Sequence, residues 1–210
     1  MTVLLSVQGL TKAYGPRPLF ADLSLDLRAG ERVGLIGPNG GGKTQLMRLL
    51  AGDRPPDSGE VLLGPRVSPG LFTQLNTRGD FAGRAVLDIA QDRVGSYERA
   101  MGALARYGLA EAARRSYDTL SGGQKARLEI LCLELEGHNL LLLDEPTDNL
   151  DVDSAEALEA ALEGFEGTVV AVSHDRAFLR RLDRFLMVLH DGRVVAVPDY
   201  DRALEAITSS

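Results

Sequence analysis

Gly37-Pro38-Asn39-Gly40-Gly41-Gly42-Lys43-Thr44 follows the apolar run Val33–Ile36 and precedes the apolar helical pattern Leu46–Leu50. It reads G-x-x-x-x-G-K-T, set between a strand and a helix. Glycines let the backbone curl until successive N–H groups point inward, where phosphate oxygens can accept them. A helix beginning at Lys43 adds the positive end of its dipole. The Lys43 ammonium is a compact charge for the β and γ phosphates, and the Thr44 hydroxyl is a hard oxygen ligand for Mg²⁺. The stretch implies a nucleotide site on the strand–loop–helix unit of an α/β fold.

Further along, Leu140-Leu141-Leu142-Leu143 ends in two adjacent acids, Asp144 and Glu145. That run is apolar without alternation, as is Val169–Val172. Both patterns suit strands of a parallel sheet buried on two faces. Acids at the carboxyl end of such a strand lie where open α/β sheets bind ligands. Consecutive strand side chains point to opposite sides, so the two carboxylates take different tasks. Asp144 is the candidate Mg²⁺ ligand, and Glu145 the candidate general base for an attacking water.

The remaining chain alternates strand and helix patterns. Strands are expected at Leu4–Gln8, Leu23–Leu27, Glu31–Ile36, Glu60–Leu63, Asn139–Leu143, Thr168–Ser173, Arg184–His190 and Arg193–Val197. Helices are expected at Lys43–Ala51, Ala85–Gln91, Tyr97–Tyr107, Leu109–Ser116, Gly122–Glu136, Val152–Leu162, Arg176–Leu182 and Tyr200–Ala206. Residues 83–116 are almost wholly helical in pattern and read as a subdomain inserted into the α/β core. Cys132 on a helix face is a small core residue. His138 and His190 read as structural or surface groups, and Glu129, Glu134 and Glu136 as solvated helix positions.

Composition bounds the function. The 210 residues carry 23 Lys+Arg against 30 Asp+Glu, a net charge of −7, which argues against a broadly basic nucleic-acid surface. With 44% hydrophobic and 25% charged residues the chain is globular. A single cysteine excludes an internal disulfide framework and points to a reducing compartment. The longest apolar run, Phe185–Leu189, falls far short of the roughly 20 residues a bilayer span needs. The start Met1-Thr2-Val3-Leu4-Leu5 lacks the basic segment and long apolar core of a secretory signal. A cytoplasmic protein without membrane insertion is expected.

Leu120-Ser121-Gly122-Gly123-Gln124 opens another helix with a hydroxyl and exposed backbone N–H groups, a second potential anion seat. This stretch resembles the signature motif of the ATP-binding-cassette (ABC) proteins. Glu145-Pro146-Thr147-Asp148-Asn149-Leu150-Asp151 and Ser173-His174-Asp175 follow in that family's order, so the resemblance covers essentially the whole chain. It implies a P-loop NTPase fold of the ABC type, with a mixed sheet core and an inserted helical subdomain. Residues 1–210 form one ATPase domain, the subdomain at about 83–116 being joined by a signature helix at 121–136.

The resemblance also implies roles. Gly37, Pro38, Asn39, Gly40, Gly41, Gly42, Lys43, Thr44 and Gln45 hold ATP, and Tyr14 stacks on adenine, although a packing tyrosine remains the alternative. Thr44, Asp144 and Gln74 attend Mg²⁺, with Gln91 in the same region as Gln74. Glu145 and His174 handle the water in hydrolysis. Ser121, Gly122, Gly123 and Gln124 face the nucleotide of a second cassette, and Asp151 lies in the loop that communicates across the dimer.

Within the family, Ser173-His174-Asp175-Arg176-Ala177-Phe178-Leu179 resembles the S-H-D-R-x-F-L stretch of the ABC-F group. The Lys125-Ala126-Arg127-Leu128-Glu129 continuation and the Pro198-Asp199-Tyr200-Asp201 tail lean the same way. Asp148-Asn149 and Gln45 depart from that group's usual residues. The ABC-F resemblance implies a translation or antibiotic-resistance factor with the ribosome as partner. The alternative is the ATP-binding subunit of a membrane transporter, with a membrane subunit as partner. A single cassette supplies half of each composite ATP site, so the chain is a homodimer, one member of a pair, or half of a longer protein. Arg114-Arg115 and Arg176, Arg180, Arg181 and Arg184 read as solvated faces.

Overall fold

The computed structural model describes residues 2–13, 18–73, 79–148 and 150–208. In chain order the elements are β1 (Val3–Ala13), β2 (Pro18–Arg28), β3 (Arg32–Ile36), α1 (Lys43–Leu50), β4 (Ser58–Leu63) and β5 (Pro69–Thr73). Then come α2 (Val86–Val94), α3 (Tyr97–Arg106), α4 (Gly122–Leu135), β6 (Leu140–Asp144), α5 (Val152–Glu163) and β7 (Thr168–Val172). The chain closes with α6 (Arg176–Leu179), β8 (Arg184–Val188), β9 (Val194–Val197) and α7 (Tyr200–Thr208).

These build two sheets. One is antiparallel, in the order β2-β1-β4; the other runs β5-β6-β7-β3-β8-β9. Every pairing in the larger sheet is parallel except β8 with β9. The fold is therefore α/β with a mixed sheet, as expected.

The alternation of Cβ directions along a strand decides which core each side chain enters. Leu140 and Leu142 join the core shared with α1, β1 and β2, together with Val170 and Val172. Leu141 and Leu143, with Val169 and Ala171, point the other way into the core built by α2 to α5. All four leucines are fully buried, so the unalternating run follows from having two apolar layers. Each such side chain contributes about 1.5–3 kcal/mol on burial. A smaller cluster of Ile36, Leu179, Phe185, Val197 and Ala203 fills the space under α6 and α7. Among the described residues no helix is long and apolar enough to cross a membrane.

Three expectations change. The helix expected at Leu109–Ser116 is only a 3-10 turn at Ala110–Ala112. Its carbonyls are used elsewhere: Arg115 O accepts from Val86 N and Ala113 O from Leu87 N. The start of α2 has no side-chain cap, so these two bonds satisfy N–H groups that a helix start leaves open. The second is β5, a strand that the sequence expectations do not include. A proline is tolerated as the first residue of an edge strand. Gly70 is needed because a Cβ there would lie 2.8 Å from the His138 ring. Third, Arg176–Leu182 is helical only to Leu179.

Candidate functional site

The phosphate-loop stretch lies between β3 and α1. A Cβ on Gly37 would come within 2.6 Å of the Val188 carbonyl, so β8 leaves no room for a side chain. Gly42 takes φ 91° and is packed by Phe20, whose Cζ lies 2.9 Å from where a Cβ would sit. Gly42 is the N-cap of α1, and no side chain caps that first turn. Lys43 folds back over the loop, its Nζ donating to Gly37 O at 2.9 Å and Pro38 O at 3.0 Å. Burial lowers the ammonium's pKa, against the raising influence of Glu145 and Asp144.

Asp144 is buried at the end of β6, in register with Thr73 on one side and Val172 on the other. The Thr73 hydroxyl beside it is buried and has no hydrogen-bond partner among the described residues. Glu145 N donates to Val172 O at 2.9 Å, and its φ of 52° is left-handed. That conformation is uncommon for a residue with a side chain. After this turn Glu145 Oε1 meets His174 Nε2 at 3.2 Å. Burial is the main cause of a raised Glu145 pKa; the His174 charge opposes it and the Asp144 charge adds to it.

A hydroxyl link holds the two loops together. Ser173 Oγ lies 3.1 Å from Thr147 Oγ1 and accepts from Asp175 N at 3.0 Å. Asp175 then caps α6 by accepting from Ala177 N at 2.8 Å. His174 is thus fixed at its backbone while its side chain is largely exposed.

These groups surround a cleft of 560 Å³. Asn39, Gly40, Gly42, Lys43, Thr44 and Gln45 form one wall, and Asp144, Glu145 and His174 the other. Gly37 instead lines a separate pocket behind the loop. Leu19, Arg48 and Thr73 also reach the cleft, and sequence reasoning did not select them. Arg48 carried a signal: it is one helical turn beyond Thr44 and so shares its face. Tyr14 and Gln74 lie outside the described residues.

Ser121 to Gln124 do not line this cleft. Ser121 caps α4 in a reciprocal box, its Oγ accepting from Gln124 N at 3.2 Å while Gln124 Oε1 accepts from Ser121 N at 3.1 Å. Gly123 packs against α5, where a Cβ would lie 2.4 Å from Ser154 Cβ. Asp151 caps α5 by accepting from Ser154 N at 2.7 Å. Arg127, buried, donates to Tyr107 O at 3.0 Å and ties α4 to the end of α3.

Several charged residues read as solvated have partners. Glu129 is buried and accepts from the Tyr117 hydroxyl, Glu134 takes Arg106 and Tyr107, and Glu136 takes Arg93. Arg181 pairs with Glu159 and Glu163, and Arg184 with Glu31. Arg114 and Arg115 are exposed as expected. His138 bonds Ser68 Oγ at 2.9 Å, His190 is exposed, and Cys132 is fully buried.

The largely parallel sheet, the glycine loop at the start of α1 and the acids at the end of β6 define a P-loop nucleotide-binding protein. Over residues 20–148 the sequence matches the ABC transporter family, and the chain belongs to it as an ATP-binding cassette. An "Antibiotic resistance protein" of Mycobacteroides abscessus is 44% identical over 90% of this chain and 37% of its own length. The "Energy-dependent translational throttle protein EttA" of Haemophilus influenzae is 38% identical over 91% of this chain and 36% of its own length. The chain thus spans little more than a third of either relative. Among solved structures, a nucleotide-free ATP-binding cassette from an ABC transporter superposes with a TM-score of 0.80. It covers 100% of this chain and 96% of that one at 19% identity, a likeness of fold.

Proposed function

We propose that residues 1–210 are one cassette, with a helical subdomain at about 83–116 and a signature helix at 121–136, that binds Mg·ATP and hydrolyses it to ADP and phosphate. The observation that carries this reading is the 3.2 Å contact of Glu145 with His174, across a cleft from the uncapped start of α1. The loop from Gly37 to Gln45 binds the phosphates through backbone N–H groups, and Lys43 exchanges its two carbonyl contacts for phosphate oxygens. Tyr14 stacks on adenine.

The cleft's donors fit Mg²⁺. Thr44 and Asp144 offer hard oxygens, and the buried Thr73 hydroxyl beside Asp144 is unsatisfied among the described residues. Among the described residues there is no cluster of three or more His, Cys, Asp or Glu suited to a metal. One or two protein oxygens plus phosphates are the usual set for this ion. Thr44 and Asp144 would hold it with Gln74, and it would supply charge neutralisation for the phosphates. Glu145 accepts the proton of the attacking water, and His174 holds that carboxylate and the water in line. The burial that raises the Glu145 pKa makes it a stronger base than a free carboxylate.

Ser121 to Gln124 serve the nucleotide of a second cassette, with Asp151 at the junction. Support comes from their position away from the chain's own cleft. A Glu145→Gln chain should retain ATP and accumulate as a dimer in light scattering. A monomer with bound ATP would overturn the pairing.

We further propose a cytoplasmic, ribosome-associated role in translation or antibiotic resistance. The names of the two relatives support it, together with the Ser173–Leu179 stretch. ATP-dependent co-sedimentation of the Glu145→Gln chain with ribosomes tests this against the transporter alternative. Absence from the ribosome pellet, with binding to a membrane subunit encoded nearby, would overturn it.

A further inference from the structure

Thr147 and Ser173 are both buried, and their hydroxyl oxygens lie 3.1 Å apart. Neither residue lines the nucleotide cleft. Each belongs to a loop that carries a group of the cleft wall: Thr147 follows Glu145 and Pro146, and Ser173 immediately precedes His174. The two loops are also joined at the backbone, where Glu145 N donates to Val172 O. That bond holds the residue before Ser173 and leaves open the direction in which the chain goes on.

His174 depends on that direction. Its side chain is 64% exposed, and its Nε2 meets Glu145 Oε1 at 3.2 Å. With so little packed around it, the imidazole is aimed by its own backbone. Ser173 Oγ shapes that backbone by accepting from Asp175 N at 3.0 Å, in a turn that closes over His174. Thr147 Oγ1 is in hydrogen-bond reach of the same oxygen. A buried hydroxyl is costly to leave unpaired, so without Thr147 Oγ1 the Ser173 side chain would turn away and the Asp175 N–H would lose its acceptor. Threonine suits the task, because two heavy substituents on Cβ restrict χ1 and give the hydroxyl a narrow choice of direction.

We propose that Thr147 is a positioning residue for ATP hydrolysis: through the Ser173 hydroxyl it holds the turn that aims the His174 ring at Glu145. Because neither hydroxyl reaches the nucleotide cleft, its effect is on the rate of the chemical step and not on the binding of ATP. The role in hydrolysis rests on the reading of Glu145 and His174 proposed above; the aiming of the His174 ring does not.

Thr147→Val keeps the side chain's shape and removes its hydroxyl. In steady-state hydrolysis by the full chain kcat should fall about tenfold or more, since a reacting group misplaced by about 1 Å costs up to about 100-fold. ATP affinity in calorimetry should stay within about twofold of the parent, and Thr147→Ser should recover most of the rate. The histidine ring signals in NMR give a readout without turnover. Thr147→Val should move the His174 signal, identified by its loss in His174→Ala, and leave those of His138 and His190 in place. A parental kcat in Thr147→Val overturns the proposal, as does a serine variant as slow as the valine one, or an unmoved His174 signal. A loss of ATP affinity in step with the rate also overturns it, because the cleft itself would then be damaged. Should Thr147→Val fail to fold, Ser173→Ala removes the other half of the link and carries the same expectations for kcat, ATP affinity and the His174 signal. A parent chain that binds ATP without turning it over, with a His174 signal that Thr147→Val still moves, overturns the hydrolysis reading and leaves the aiming of the ring standing.

Discussion

The starts of α1 and α4 are both glycine-rich, and they are finished in opposite ways. At α1 the N-cap is Gly42, in a left-handed conformation with no capping side chain. At α4 Ser121 and Gln124 cap each other. A helix start leaves four N–H groups without intrahelical partners, so α1 is left dependent on something outside the protein. The α4 start has met part of its own need and retains the Gly122 and Gly123 N–H groups and the Ser121 O–H as donors. An open start recruits an anion strongly on its own. A half-closed start is a weaker surface, suited to completing a site whose main holder is elsewhere. The roles proposed for them, α1 as the nucleotide seat and α4 as the face for a second cassette, are compatible with that difference.

Substitutions at the two starts break the comparison in graded steps. Lys43→Ala removes the only lysine over the loop and should lower ATP affinity by roughly 100-fold, the scale of a charge-assisted buried contact; unchanged affinity in calorimetry would remove α1 from the site. Gly123→Ala comes next. Its methyl would lie 2.4 Å from Ser154 Cβ, a side-chain root that cannot turn aside. A loss of about 2 kcal/mol in denaturant unfolding is expected. Ser121→Ala should cost about 1 kcal/mol through the lost cap, while ATP binding by the isolated chain stays as it was. A parallel loss of ATP affinity would show that the two starts are not independent. Smallest is Gly122→Ala, which has nothing within 4 Å to meet. Its stability should stay within about 0.5 kcal/mol of the parent, measured by the same unfolding curves.

The same contrast separates what sequence patterning reveals from what it does not. Features settled within a few residues were legible: the loop from Gly37 to Thr44, the unalternating Leu140–Leu143, and the helix that opens at Ser121. Features settled by distant partners were not. The segment after Leu109 looks helical by its own pattern, yet Ala113 and Arg115 give their carbonyls to the start of α2. No strand is expected at Pro69–Thr73 from the sequence; the strand is held there by pairing with β6 and by the close packing of Gly70 on His138. In the cleft, spacing suggested separate tasks for Asp144 and Glu145, but not the left-handed turn that brings Glu145 to His174. Nor does any local pattern show the buried Thr73 hydroxyl, which has no partner among the described residues. Glu129 reads as a solvated position by its own pattern; its burial, like that of Arg127, depends on Tyr117 and Tyr107, which precede α4 and pack against it.

The place of β3 has a consequence for the timing of folding. Its hydrogen-bonded neighbours are β7 and β8, Thr168–Val172 and Arg184–Val188, both made long after the loop it carries. At roughly 5–20 residues per second of synthesis, the glycine loop waits on the order of ten seconds for the strands that hold it. Pairings so far apart in sequence close slowly. Until then the nascent chain carries a finished nucleotide motif with no scaffold beneath it, so a chain interrupted before β8 should emerge unable to hold the ligand its earliest motif announces.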